Sequence, residues 1–583
     1  HTEPLGGGGG LFVVATQVIL FHVNIEGCSA GDGGGGGMLV TARSSVKLLS
    51  GTNMSNNTVS MRNGNHRVGF GGHIRVSESR VEIDGIKSRH EMQASMPIFP
   101  DATVISSPQE GSVSILKNGA ALSGGGIFCS SARHPFLGVY LYPGTVISSC
   151  NATGLRSFNE GGGAIYSTLC DVTVKGSVMA NNSALRGNGG AVLTTSAGSM
   201  RVEENTIFKG NSAFVSGGAI ACDECQSILL NDNSTFENNV AGKHGGSISL
   251  VNPMSARDKV SSGSVFRSNT AKDGGGGAVY VAHSSAEEGR EGRIDALWVS
   301  TADIFDGNIA MAGSGGAIFA IGTKITFGFG SNCSNNRAPR GGGGCLLWEP
   351  LAADAKSSLW QQRVPEHGPH VFCGNSAAYG NDIATPPVSL RPIVDENVII
   401  SADVDGSPLI PAPRVEILDL YDNVVVGSSV SGVNVGAIHH RNETTSTIYG
   451  GINSLSNDTN GIATFKSLGL RGAPRSGPHR VSFAASVQVV RGSFLSMSRA
   501  VDSGLRFIEA SVRDCPEPVE GKGGKYFYED KCYSCPDRSE LINTTVRNGP
   551  AGQACRCVEG FHNAFSDGSS VNCVQCPKGE TSN

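Results

Sequence analysis

The chain has 583 residues, too many for one ordinary core, so the sequence predicts several domains. Gly accounts for 81 residues, about twice its usual share, while 39% of residues are apolar and only 16% charged. This composition excludes a disordered chain and is typical of an all-β protein with many tight turns. The net charge of −5 gives no basic surface for nucleic acid. The apolar run from Leu11 to Phe21 is too short for a membrane span.

The first two-thirds of the chain carry a repeated Gly-Gly motif that ends in an aliphatic residue. We take its last residue as the marker of each repeat: Ile127, Ile165, Val192, Ile220, Ile248, Val279, Ile318 and Leu346. Gly36-Gly37-Met38-Leu39 and Gly71-Gly72-His73-Ile74 are looser early versions. Internal repetition of this kind predicts a solenoid.

A second motif precedes most of these repeats and has the form Phe-x-x-Asn. Its phenylalanines are Phe208, Phe236, Phe266, Phe305 and Phe372. The matching asparagines are Asn211, Asn239, Asn269, Asn308 and Asn375. Phe21 to Asn24 and Ile115 to Asn118 are candidate early members.

The two motifs suit a parallel β-helix, in which each coil stacks on the next at about 4.8 Å. Equivalent residues then lie directly above one another and form files of like side chains, Ile or Val in one and Phe in another. Paired Gly allows positive φ at a corner. Asn tolerates the left-handed conformation and can hydrogen-bond to the Asn of the next coil. We expect about 14 coils and a length of about 65 Å.

The paired motifs resemble those of the polymorphic outer-membrane-protein family, known from chlamydial autotransporter adhesins. The resemblance covers about residues 20–384 and implies a right-handed parallel β-helix used for adhesion at a cell surface. The autotransporters continue into a membrane-inserted domain, whereas this chain continues into a Cys-rich segment. We therefore expect the version of these repeats that occurs in large eukaryotic surface proteins.

Residues 385–512 follow a Thr-Pro-Pro linker and contain short runs of alternating polar and apolar residues. Period-two alternation between polar turns predicts an antiparallel β-sandwich. The run Gly461 to Phe465, followed by Val481 to Phe483, resembles the late strands of bacterial-type immunoglobulin-like domains. The β-helix would accordingly occupy residues 1–384.

Residues 513–583 are rich in cysteine and resemble the EGF-like modules of ephrin-receptor ectodomains. Dense cysteines in a short segment predict disulfides and an oxidising compartment. The candidates are Cys515, Cys532, Cys535, Cys555, Cys557, Cys573 and Cys576, with Cys222 and Cys225 as a local pair in the coils. Zinc binding is the alternative for paired Cys-x-x-Cys motifs. Because seven is odd, we expect one partner to lie after the end of this sequence.

Nine Asn-x-Ser/Thr sequences are candidate N-glycosylation sites, which also fits a secreted chain. They are Asn53, Asn56, Asn151, Asn181, Asn233, Asn332, Asn442, Asn457 and Asn543. About six would arise by chance in a chain this rich in Asn and Ser, so the sequons permit glycosylation without requiring it.

These features predict a non-catalytic extracellular structural or adhesive glycoprotein, with a subunit of a surface filament or matrix as one form of that role. The partners would be further copies of the chain, other surface proteins or glycans. The alternative is a polysaccharide-binding or polysaccharide-cleaving β-helix protein, which would need clustered carboxylates. The acids of the coils are scattered along the sequence: Asp171, Asp223, Asp232, Asp273, Asp303 and Asp306. Because these acids are scattered and His244 stands alone, we predict no enzyme activity, no cofactor and no metal. We read Asp303 and Asp306 as solvated turn residues.

Overall fold

The structure of the chain is a computed structural model. It describes residues 9–576 except 32–33, 60–69, 84–102, 107–113, 131–136, 155–159, 197, 232, 253–258, 283–296, 350–371, 394–399, 403–406, 428–432, 440–445, 452, 456–459, 474, 492–494, 502–506, 514–524, 529–530, 542–550, 560 and 565–570.

Most of the described chain before residue 386 consists of four parallel sheets, each built from one short strand per coil. The first sheet has 12 strands: Leu11–Val14, Met38–Thr41, Ile74–Ser77, Ile127–Ser130, Ile165–Thr168, Val192–Thr195, Ile220–Asp223, Ile248–Val251, Val279–Ala282, Ile318–Ile321, Leu346–Glu349 and Ile383–Ala384. The second has 11, in spatial order: Thr103–Ser106, Gln17–Phe21, Ser45–Leu48, Arg80–Ile83, Gly138–Leu141, Asp171–Lys175, Ser199–Glu203, Ser227–Leu230, Lys259–Ser262, Leu297–Thr301 and Lys324–Phe327.

The third and fourth sheets complete each coil. The third sheet has 11 strands: Asn24–Glu26, Asn53–Ser55, Ser114–Lys117, Thr145–Ser148, Val178–Ala180, Ile207–Lys209, Thr235–Glu237, Val265–Arg267, Ile304–Asp306, Asn332–Ser334 and Phe372–Cys373. The fourth also has 11: Ser29–Ala30, Thr58–Val59, Ala120–Ala121, Asn151–Ala152, Ser183–Ala184, Ser212–Ala213, Val240–Ala241, Thr270–Ala271, Ile309–Ala310, Arg337–Gly342 and Ser376–Tyr379.

This arrangement confirms the predicted parallel β-helix. The estimate of 14 coils was too high, because the third and fourth sheets have eleven described strands each. Eleven coils at strand spacing span about 50 Å. The difference arises because loop insertions lengthen many coils beyond the basic repeat. One such insertion returns strand Thr103–Ser106 to the first coil, where it pairs in parallel with Gln17–Phe21.

The aliphatic repeat residues form one in-register file on the inner face of the first sheet. Ile165 pairs with Val192, Val192 with Ile220, and Ile220 with Ile248. The same register extends to Ile127 before them and through Val279, Ile318 and Leu346 after them. All eight side chains are at most 1% exposed.

The Phe residues form the corresponding file on the third sheet, but the predicted early members were wrong. Phe21 ends a strand of the second sheet, and the third-sheet residue buried in that coil is Ile25. In the coil of Ile115 the inward residue is Leu116, because Ile115 itself is 37% exposed. Early coils have other apolar residues at this inward position, so a search for the Phe-x-x-Asn motif does not find the position in those coils.

The described residues of 387–424 and of 430–583 form a second compact unit of mainly antiparallel strands. A three-stranded sheet contains Ser389–Ile393, Arg414–Leu418 and Ile462–Thr464. A six-stranded sheet contains Ile400–Ala402, Phe507–Val512, His479–Arg491, Val433–His439, Asn453–Leu455 and Leu495–Val501, and Ser446–Gly450 pairs with Leu468–Gly472. Phe465, just after the smaller sheet, packs against Phe483 of the larger one with ring centroids 5.1 Å apart. The immunoglobulin-like assignment of this region stays a prediction.

The Cys-rich part contains three two-stranded antiparallel sheets and one helical turn. The strand pairs are Lys525–Tyr528 with Lys531–Ser534, Ser539–Leu541 with Cys555–Cys557, and Phe561–Asn563 with Cys573–Gln575; the helix is Ala551–Ala554. Their small core is built around Tyr526, Ala554, Val571 and cysteines. The boundary predicted at residue 512 and the EGF-like assignment stay predictions.

Candidate functional site

Four phenylalanine rings stack inside consecutive coils of the third sheet. Phe208, Phe236, Phe266 and Phe305 are all fully buried, with successive ring centroids 5.0, 5.0 and 4.8 Å apart. Rings at this separation contribute attraction beyond their burial. The file therefore fixes the register of four coils from the inside.

In the next coil, a phenylalanine from another sheet continues the aromatic packing. Cys333 follows Phe305 in the file and is itself in register with Phe372. Phe327, from the second sheet of the same coil, fills the space beside this smaller residue. Its ring centroid is 6.4 Å from that of Phe305 and 5.6 Å from that of Phe372.

Buried asparagines form a continuous hydrogen-bonded ladder beside the Phe file. The ladder contains Asn182, Asn211, Asn239, Asn269, Asn308, Asn336 and Asn375. Asn182 and Asn336 were missed because Met179 and Cys333 replace Phe three residues earlier. The regular position of an Asn three residues after an inward apolar residue was the sequence signal that could have identified both asparagines.

Each amide in the middle of the ladder uses its full hydrogen-bonding capacity. Asn239 Nδ2 donates to Asn269 Oδ1 and to the Phe208 carbonyl, both at 3.0 Å. Its Oδ1 accepts from the backbone N–H and the Nδ2 of Asn211, also at 3.0 Å. Since both amide hydrogens and both oxygen lone pairs are engaged, the ladder holds the coils in place and leaves no group for a ligand.

The left-handed backbone expected at these asparagines lies one residue earlier. Asn181 and Asn238 have φ values of 56° and 55°, and Gly210 has 63°. These preceding residues make the corner, which turns the following Asn side chain into the interior. The prediction that the laddered Asn itself takes positive φ was wrong.

Three disulfides lie within the coils. Cys222 and Cys225 form the local pair expected from the sequence. Cys129–Cys170 and Cys333–Cys345 were not anticipated. Cys345 replaces the Ala of a Gly-Gly-Ala repeat in the same coil in which Cys333 replaces Phe, and these paired replacements were a readable signal.

The Cys-rich part is also cross-linked by disulfides. Cys535 pairs with Cys555, Cys557 pairs with Cys573, and Cys532 is disulfide-bonded. Sulfur atoms joined in this way cannot ligate zinc as thiolates. Cys576 is a free thiol within the described residues, and Cys515 lies outside them, so the disulfide assignment of both stays a prediction.

The coil cysteine Cys150 is a buried free thiol at the ladder position. Its backbone N–H donates to Asn182 Oδ1 at 3.1 Å. Burial raises the pKa of the Cys150 thiol to about 12. Because the thiolate is the reactive form, this cysteine is chemically inert at neutral pH.

The acids considered for catalysis are engaged in structural contacts or stand apart. Asp303 is fully buried, where its Oδ1 accepts the Ser264 backbone N–H at 2.8 Å, so the solvated-turn interpretation was wrong for this residue. Asp306 accepts hydrogen bonds from Ser334 and Asn335 and pairs with Arg267. Asp171 accepts the Ser199 backbone N–H.

The remaining coil acids do not form a cluster with these. Burial raises the pKa of the Asp223 carboxyl, with the neighbouring charge of Glu224 as a second cause. Asp273 is exposed, and Asp232 lies outside the described residues. Within the described ranges, no group of three or more His, Cys, Asp or Glu side chains is placed to hold a metal ion.

Two coil histidines are packed rather than exposed. His73 is fully buried at a position where most coils carry Gly, Ala or Ser, and its Nδ1 accepts a hydrogen bond from Asn57 Nδ2 at 3.0 Å. The ring fits because the ladder position of the next coil is Gly119, where an added Cβ would lie 2.8 Å from the ring. His244 stacks on Tyr280 with centroids 4.4 Å apart, and its Nδ1 accepts the Gly275 N–H. Burial lowers the pKa of each imidazole to about 4, helped at His244 by Lys243.

Four sequon asparagines of the β-helix are solvent-exposed: Asn56, Asn181, Asn233 and Asn332. Asn56 and Asn181 occupy the same left-handed corner of the third sheet, three coils apart. Asn53 and Asn151 are half-buried. Asn442, Asn457 and Asn543 lie outside the described residues.

The five disulfides with both cysteines described fit an oxidising environment. Among the described residues, no helix has the length and apolar character needed to cross a bilayer. No family model, curated protein or solved structure matches the chain.

Proposed function

We propose that the protein is a non-catalytic extracellular glycoprotein with a structural or adhesive role, in which the β-helix presents a long, regular surface. The observation that carries the proposal is the Asn ladder, because its buried amides are fully satisfied by neighbouring coils. Such a network rigidifies a scaffold but offers no reactive group. The coil disulfides and the resemblance to surface β-helix proteins support the same function.

The assembly form that we favour is a filament or matrix subunit. Solenoids bury their core only between neighbouring coils, so their ends and edges invite association with further copies. Negative-stain imaging of native material at high concentration tests this part. We expect side-by-side or end-to-end contacts, and uniformly isolated particles would contradict the filament form.

Glycopeptide and disulfide analysis of native protein tests the extracellular assignment. We expect glycans at the exposed sequons, first at Asn56 and Asn181, because their corner is open to solvent. Intact disulfides should be recovered for Cys129–Cys170 and Cys333–Cys345. If all four exposed sequons were unmodified and both cysteine pairs reduced, the extracellular proposal would fail.

A polysaccharide-related function is the second candidate, and one observation favours its binding form. Phe214 is 69% exposed on the outer corner of the coils, beside lysines and arginine. The cleaving form has less support, because Asp171, Asp303 and Asp306 hold backbone or side-chain partners within the fold.

A further inference from the structure

A two-file ridge follows the corner between the fourth and first sheets over five consecutive coils. One file is the residue directly after each fourth-sheet strand: Leu185, Phe214, Gly242, Lys272 and Met311. Backbone hydrogen bonds hold these residues in register, for example from Phe214 N–H to the Ala184 carbonyl at 2.9 Å and from Lys272 N–H to the Ala241 carbonyl at 3.0 Å. Side chains of this file therefore project at intervals of about 4.8 Å.

The ridge exposes three large apolar side chains. Phe214 is 69% exposed, Leu185 52% and Met311 49%. Gly242 follows Phe214 in the file and has no side chain to cover the next step of the ridge. A Cβ there would lie 1.9 Å from the Phe214 carbonyl, so the backbone itself requires Gly. The result is an open slot between Phe214 and Lys272, about 10 Å apart at the coil spacing.

Cations accompany the apolar residues on the same ridge. Arg186, Lys243 and Lys272 are exposed. The exposed Asp273 comes next to Lys243 on the following coil, and the half-buried Glu160 lies near Arg186. The second file is the next residue of each coil: Arg186, Val215, Lys243, Asp273 and Ala312. Within it, the Lys243 N–H donates to the Val215 carbonyl of the preceding coil. The strip therefore carries three cations against two acids, on a chain whose net charge is −5.

We propose that this ridge binds a linear anionic polysaccharide running along the coil axis. Phe214 would stack on the C–H face of a sugar ring, and Lys243, Lys272 and Arg186 would bind its carboxylate or sulfate groups. The ridge is one to two residues wide and continues in register over five coils, which fits an extended polymer. A bilayer surface would need a broader apolar face. This inference rests on the surface role proposed above and names the partner.

The test measures binding of the full chain to dextran sulfate and to unmodified dextran, which share one backbone and differ in charge. We expect binding to dextran sulfate alone, weakening with salt because the contacts are ionic. Phe214→Ala and the double variant Lys243→Glu/Lys272→Glu should each weaken binding about tenfold. Unchanged thermal midpoints would show that both variants fold.

Matched control variants change an exposed phenylalanine and two exposed cations that do not belong to the ridge. Phe329→Ala deletes a phenylalanine that is 97% exposed, and Lys117→Glu/Arg201→Glu reverses two exposed cations. We expect both to bind like the native chain. Equal loss in the controls, or no loss in the ridge variants, would overturn the proposal.

Binding to phosphatidylserine vesicles instead of dextran sulfate would also overturn it, in favour of a membrane partner. The glycopeptide and disulfide analysis does not involve the ridge. Failure here with that analysis intact would thus remove the polysaccharide partner and leave the extracellular proposal in place.

Discussion

At the scale of single residues, the two glycines of each repeat are required for different reasons. Gly217 has φ of +67°, a conformation that costs other residues roughly 1–2 kcal/mol. Gly218 has no positive φ, yet a Cβ there would lie 2.0 Å from the Gly246 carbonyl of the next coil. A Cβ at Gly217 would also lie 2.2 Å from the Ile220 carbonyl of the same corner. The first glycine therefore makes the corner within a coil, and the second allows the close approach of stacked backbones.

Three Gly→Ala variants separate conformation from crowding. Gly218→Ala should destabilise the protein by about 4 kcal/mol, because backbone atoms cannot move aside. Gly27→Ala should cost about 1 kcal/mol, since Gly27 has φ of +64° but open space around it. Gly31→Ala has open space and no positive φ, so it should be near neutral. The thermal midpoints of the three variants rank their losses of stability. A loss in Gly31→Ala as large as that in Gly218→Ala would contradict the expected ranking.

His73 gives the coils a stability that depends on pH. Burial lowers its pKa to about 4, against 6.5 in the unfolded chain, so the unfolded state binds the proton first as pH falls. The stabilisation is therefore complete above pH 6.5 and is lost as pH falls towards 4. The total is about 3 kcal/mol for a shift of this size.

The variant His73→Ala should show a smaller fall in thermal midpoint between pH 7 and pH 5 than the native chain. The pH slope is the readout, because the deleted ring also leaves a cavity that lowers stability at every pH. Phe329→Ala removes an exposed ring without a titratable group and should keep the native slope. Identical slopes in the native chain and His73→Ala would refute this assignment.

At the scale of the element, the Asn ladder joins coils through side chains as the sheets join them through backbones. Asn239→Ala removes two donors and one acceptor, and it leaves Asn211 Nδ2 and the Phe208 carbonyl without these partners. We expect a loss of about 3 kcal/mol or more, because buried polar groups without partners are costly.

Asn238→Gly is the matched control for the ladder variant. Asn238 is exposed and has φ of 55°, which Gly adopts without strain. Its unfolding midpoint in urea should stay close to that of the native chain. A similar midpoint for Asn239→Ala would mean that the ladder contributes little to stability.

Repetition explains which parts of these elements the sequence could predict. The Ile file and the Phe208 to Phe305 stack could be read directly, because each coil repeats the same residue type at the same spacing. The place of Phe327 could not, since there a large side chain from a neighbouring sheet fills the space beside the Cys333–Cys345 disulfide. The two cysteines were visible only as paired departures from the repeat. Such compensation depends on the side-chain volumes that pack together within one coil, and a search for repeated residue types does not reveal it.

The ridge residues were missed for a related reason. Leu185, Phe214 and Met311 differ from one another, so no repeat draws attention to them. Their shared property is a position directly after a two-residue strand, and that strand is too short to be recognised without the structure. The free side chains of corners vary from coil to coil because packing does not constrain them.

At the scale of the whole β-helix, each coil contacts only its neighbours, so stability should vary along the axis. Central coils such as Ile165–Thr168 to Ile248–Val251 are paired on both sides in all four sheets. The strand Leu11–Val14 is paired on one side only within the described chain, and its Phe12 and Val14 are 45% and 44% exposed. Coil-by-coil opening from an end should therefore require less free energy than opening at the centre.

Hydrogen exchange followed by mass spectrometry tests this gradient. Amides of the central first-sheet strands should exchange slowest and those of Leu11–Val14 fastest. In Asn239→Ala, faster exchange should concentrate in the coils on either side of residue 239, because nearest-neighbour coupling confines the damage. Uniform exchange along all coils, or uniform acceleration in the variant, would instead show that the β-helix opens as one cooperative unit.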